Sequence, residues 1–117
     1  MSARPKEFDH YALVLLRRPS DAPDLPETEL DRLQEEHLAY LASLRSRGLV
    51  AAGPYRDQPD ESLRGMCLFS LSVDEARALM ERDPSVRAGR LAVEPMSWLT
   101  PKGALTFAPR LEASESS

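Results

Sequence analysis

Residues 10–17, HYALVLLR, constrain the fold more than any other stretch of this chain. Side chains alternate across a β-strand, so Tyr11, Leu13 and Leu15 share one face and Ala12, Val14 and Leu16 the other. Both faces are apolar. A strand of this kind is buried on both sides, and the sheet that holds it needs a cover on each face. The chain has 117 residues, enough for one domain with its own core.

The elements that supply the cover follow in order. Residues 18–26 hold Pro19, Pro23 and Pro26 among Ser20, Asp21 and Asp24, which is loop chemistry. A helix is predicted from Thr28, which can cap it, with Asp31 as a weak capping-box partner. Its apolar stripe runs Leu30, Leu33, His37, Leu41, Leu44, with Tyr40 beside it. Arg45 and Arg47 suit the negative end of the helix dipole, and Gly48 is a fitting stop. Residues 49–55, LVAAGPY, and 64–71, RGMCLFSL, read as two strands of a hairpin, the first an edge strand closed by Pro54. Ser72 and Glu75 form a capping box that opens a second helix. Its stripe is Val73, Ala76, Leu79 and Met80, and the next stripe position is Asp83, where Pro84 ends the helix. Residues 91–100, LAVEPMSWLT, read as a last strand in which Pro95 marks an edge position or a bulge.

The order βαββαβ predicts an α+β, ferredoxin-like fold: one four-stranded antiparallel sheet with two helices on one face. The expected domain spans residues 8–100, and residues 101–117 form a C-terminal tail whose Leu105 and Phe107 can dock on the body or on a partner. The second face of the sheet is then uncovered. The economical cover is the same face of a second copy, so a homodimer is expected.

Composition narrows the partners. A net charge of −4 argues against nucleic acid or an anionic membrane surface as the main partner. No apolar run is long enough to span a bilayer, and the first residues lack the apolar core of a signal peptide. The single cysteine, Cys67, excludes an internal disulfide and fits a reducing cytoplasm. Two histidines and one cysteine are too few for a closed zinc site, so neither metal nor cofactor is expected.

Two polar side chains break the apolar stripes, His37 and Asp83. A carboxylate buried alone is costly, and an imidazole that met it would resolve the problem of both. Such a pair fixes the imidazole tautomer, as an acid–base dyad requires. Two plainer readings stand beside this one. His37 can be a core histidine bonded to a backbone carbonyl, and Asp83 can simply cap the turn that follows it. Arg64 and Arg87 can steer an anionic substrate or be solvated surface charge, and the turn at Gly53 and Pro54 can form one wall of a cleft. Cys67 reads as a small core residue, His10 as an exposed residue at a strand end, and Tyr40 and Trp98 as packing.

The segments HLAYLASLRSRG (37–48), LVAAGP (49–54), DPSVRAG (83–89) and VEPMSWL (93–99), in this order and spacing, resemble the YCII-related (YciI-like) domain family of the dimeric α/β-barrel group. The resemblance implies a ferredoxin-like homodimer with an active site built on a His–Asp pair, at His37 and Asp83 in this chain. It also implies dehydrochlorinase-like chemistry on a small molecule. Relatives usually carry an aromatic residue after Asp-Pro; Ser85 stands there instead, which makes the expected substrate pocket larger or more polar. The function expected is therefore acid–base catalysis of proton abstraction with elimination or isomerisation. The alternative is a non-catalytic small-ligand-binding or accessory module.

Overall fold

The computed structural model describes residues 7–107. Four strands form one sheet: β1 (Phe8–Arg17), β2 (Leu49–Pro54), β3 (Leu63–Phe69) and β4 (Ala92–Pro101), in the order β2-β3-β1-β4 with every neighbour antiparallel. Helix α1 (Glu27–Leu44) follows β1, and α2 (Val73–Met80) with the single turn α3 (Pro84–Arg87) follows β3. This is the split βαβ arrangement read from the element order. β1 is central, as its two apolar faces require, and the proline-marked strands β2 and β4 lie at the edges.

The alternation of β1 sorts its side chains as expected. Ala12, Val14 and Leu16 are buried and share one core with Cys67 and Phe69 of β3, Leu44 of α1 and Ala76, Leu79 and Met80 of α2. Both long helices therefore cover this face. The opposite face carries Tyr11, Leu13 and Leu15, paired across the ladders with Trp98, Met96 and Glu94 of β4 and, for Leu13 and Leu15, with Leu68 and Met66 of β3. Among the described residues no helix covers that side. Instead the chain beyond β4 turns back through a bond from the Gly103 amide to Asp9 Oδ2 (2.9 Å), and Phe107 meets Tyr11 edge to face with centroids 6.2 Å apart. The first part of the expected tail is thus packed on the sheet; residues 108–117 lie outside the described residues.

The helix ends differ in places from the sequence reading. α1 starts at Glu27 with Pro26 at the cap position and no side-chain cap, so Thr28 lies inside the first turn. Proline supplies the preset φ that starts a helix without a capping oxygen. At its other end α1 tightens into a 3-10 turn, Arg45–Arg47, and Gly48 takes the left-handed conformation (φ 111°) against Leu71. Ser72 and Glu75 make both bonds of the capping box of α2. α2 ends at Met80 rather than reaching Asp83, which instead caps α3 with extended backbone (φ −60°, ψ 133°). Among the described residues, no helix is long and apolar enough to cross a membrane.

Candidate functional site

α1 carries His37 on its buried stripe, between Leu33 and Leu44. Tyr40, one turn further on, donates its hydroxyl to the Leu79 carbonyl (2.7 Å) and ties α1 to the end of α2. That bond brings the α2–α3 junction under His37. There the proline after Asp83 forces extended backbone, which turns the carboxylate inward. Asp83 is fully buried, and both its oxygens are used. Oδ2 meets His37 Nδ1 at 2.7 Å, and Oδ1 accepts from the Ser85 amide at 3.4 Å. The two readings of Asp83 open in the sequence are both realised, one on each oxygen.

The imidazole has two ends in different surroundings. Its side chain is 11% exposed and the carboxylate behind it 0%. Nδ1 is taken by Asp83. Among the described residues Nε2 has no hydrogen-bond partner, and no buried side-chain nitrogen or oxygen lacks one. Nε2 is therefore the nitrogen that reaches solvent. An ionised carboxylate only accepts, so Nδ1 carries the proton and the neutral ring presents the Nε2 lone pair outward.

His37 borders a cleft of about 540 Å³ between α1, the ends of β1, β2 and β3, and the chain from α3 into β4. His37, Ser85, Gly53 and Pro54 line it; Asp83 lies behind His37. Arg87 is exposed and is not part of the lining; Arg18, Arg64 and Arg90 are. Arg18 and Arg90 were not singled out by sequence, because only the strand order brings the end of β1 beside the start of β4. Gly65 sets the width of one wall. A Cβ there would stand 2.7 Å from the Gly53 carbonyl oxygen, closer than side chains tolerate, so the hairpin strands approach this tightly only with glycine.

Cys67 lies in the cleft floor with no accessible surface. Burial, reinforced by the charge of Asp83, pushes its thiol up to about 12. It is a packed core residue and not a thiolate. Among the described residues no group of three or more His, Cys, Asp or Glu side chains is arranged to hold a metal ion.

The YCII-related domain matches residues 10–98 of the chain. Among solved structures, the fold is similar to that of 5-chloro-2-hydroxyhydroquinone dehydrochlorinase from Burkholderia phenoliruptrix AC1100, solved in complex with 2,5-dihydroxybenzoquinone. The two chains are 22% identical, the match covers 75% of this chain and 90% of that one, and the TM-score is 0.50. At this identity the likeness speaks to the fold. No curated protein matches the chain. The family match runs from within β1 to within β4 and includes both long helices, with His37 and Asp83 inside it, and the chain belongs to the YCII-related domain family.

Proposed function

We propose that this protein is a small-molecule enzyme in which His37 is the general base and Asp83 the residue that positions it. The observation that carries the reading is the division of labour on the imidazole: Nδ1 held at 2.7 Å by a buried carboxylate, Nε2 free toward a cleft of ligand size. In the reaction, Nε2 takes a proton from the substrate. The electron pair left behind forms a new π bond, and in an elimination the leaving group departs with its own pair from the neighbouring atom. In an isomerisation the imidazolium returns the proton at another carbon. Asp83 stabilises the imidazolium between these steps and keeps the ring from turning. No step requires a cofactor. Ser85, Gly53 and Pro54 bound the substrate's space, and Ser85 brings a hydroxyl to it. The dehydrochlorinase with the similar fold supports halide elimination from a hydroxylated ring as the first chemistry to test.

The uncovered sheet face supports a homodimer formed by two such faces, and the single reduced cysteine supports a cytoplasmic protein. The test is turnover of 5-chloro-2-hydroxyhydroquinone and related halogenated hydroquinones, followed by chloride release. His37→Ala is expected to lose about 10²–10⁴-fold in kcat while remaining folded. An active enzyme that keeps its full rate after His37→Ala overturns the mechanism. Saturable binding without turnover of any compound points to the alternative, a ligand-binding module.

A further inference from the structure

The same cleft carries an unusual concentration of positive charge. Arg18 follows the last residue of β1, Arg64 lies near the start of β3 and Arg90 precedes β4. β1 lies between β3 and β4 and is antiparallel to both, so these three positions come together at one end of three adjacent strands. A bulge contributes. Leu16 pairs with Gly65 and Arg17 with Leu63, which leaves Arg64 opposite no residue of β1 and re-aims it.

Two arginines outside the cleft, Arg17 and Arg32, are each paired with two carboxylates. Arg17 lies between Asp60 (2.8 Å) and Glu94 (2.6 Å), and Arg32 between Glu29 (2.8 Å) and Glu36 (2.7 Å). Among the described residues the cleft arginines bond only to backbone carbonyls. Arg18 Nε donates to the Arg90 carbonyl (3.4 Å), Arg64 Nη1 to that of Glu61 (3.2 Å) and Arg90 Nη1 to that of Pro23 (2.9 Å). Asp31 also lines the cleft and makes an ion pair with none of them. Burial, followed by the charges of Arg90 and Arg64, lowers the pKa of the Arg18 guanidinium from its ordinary value. Three like charges held together with no carboxylate paired to them among the described residues cost stability, and an anion in the cleft would relieve that cost.

We infer that the ligand of this cleft is an anionic small molecule, with a carboxylate or comparable oxyanion seated among Arg18, Arg64 and Arg90 and its reactive portion toward His37. The inference rests on the reading of the cleft as a small-molecule site and names the class of molecule it takes. Guanidinium groups suit this role because their planar donors match a carboxylate in pairs. The arginines and the imidazole, which line the same cleft, then orient the ligand together.

The experiment is calorimetric titration of the full chain with benzoate, 2,5-dihydroxybenzoate and succinate, each beside its uncharged methyl ester. At least one acid is expected to bind saturably at millimolar concentration or below, about tenfold or more tighter than its ester, and more weakly as salt is raised. Arg18→Gln and Arg64→Gln are each expected to weaken the acid about tenfold; Arg90→Lys, which keeps the charge if the Pro23 bond matters for folding, is expected to weaken it less. Esters binding as tightly as acids, no acid binding at all, or folded Arg→Gln variants matching the parent overturn the inference. The parent protein separates the two proposals. Acid binding by a parent that turns over none of the compounds leaves the anion site standing and removes the enzyme. Turnover of an uncharged substrate, unaltered in the Arg→Gln variants, does the reverse.

Discussion

Asp83 performs two tasks with two oxygens, and a single substitution can separate them. In Asp83→Asn the side-chain carbonyl can still accept from the Ser85 amide, but the group facing His37 Nδ1 becomes a donor. The imidazole must then accept at Nδ1 and carry its proton on Nε2, where the base should be. Asp83→Asn is therefore expected to cost about 1 kcal/mol in stability but about 10²–10⁴-fold in kcat. Asp83→Ala removes the cap and the partner together and is expected to cost about 2–4 kcal/mol by urea unfolding. Equal activity in Asp83→Asn and the parent would show that the tautomer is irrelevant. Cys67 gives a second residue-scale prediction. With no accessible surface and its thiol raised to about 12, it is expected to resist iodoacetamide at pH 8 in the folded protein and to react fully in denaturant. Rapid alkylation of the native state would contradict the burial. The His37–Asp83 pair was legible in the sequence because each residue interrupts an apolar stripe. The arginine cluster was not, since Arg18 and Arg90 are 72 positions apart and meet only through strand pairing.

At the scale of elements, the two long helices begin by different physics. Ser72 accepts from the Glu75 amide at 3.1 Å while Glu75 Oε1 accepts from the Ser72 amide at 3.1 Å, so two donors at the start of α2 are satisfied by side chains. α1 has no such bond. Ser72→Ala is thus expected to destabilise the protein by about 1 kcal/mol and Thr28→Ala by less than about 0.5 kcal/mol, measured by thermal or urea unfolding. A comparable loss in both would mean that Thr28 caps in solution. The same contrast explains where sequence reading succeeded. A Ser with Glu three residues on is a local signal whose geometry involves only four residues. At α1, Thr28 followed by Asp31 resembles that signal, but Pro26 had already set the chain into helical φ two residues earlier. Strand identity was legible from alternation. The length of α2 was not, because Asp83 lies on its apolar stripe and periodicity alone cannot tell a last helical turn from the cap of the next one.

For the molecule as a whole, the unresolved demand of β1 is its second face. Leu13 and Leu15 sit there among Met66, Leu68, Met96 and Trp98, and among the described residues the only added cover is Phe107 on Tyr11. Met96 and Trp98 remain more than a third exposed (38% and 39%) at the margin of this surface. If a second copy covers the face, a charge at Met96 separates folding from association. Lys at this exposed position keeps its ammonium in water when the protomer is alone, so the monomer should lose less than about 1 kcal/mol. Between two stacked sheets the same ammonium would be desolvated without a partner, at several kcal/mol for each of two symmetry-related copies. Light scattering after size exclusion is therefore expected to give a dimer mass for the parent and a monomer mass for Met96→Lys, with unchanged far-UV circular dichroism. The cleft of each protomer is on the helix side of the sheet, away from this surface. Carboxylate binding should consequently persist in the monomeric variant, and its loss would mean that the partner helps to shape the site. A parent chain that stays monomeric at micromolar concentration would instead leave the folded-back segment around Phe107 as the sheet's own cover.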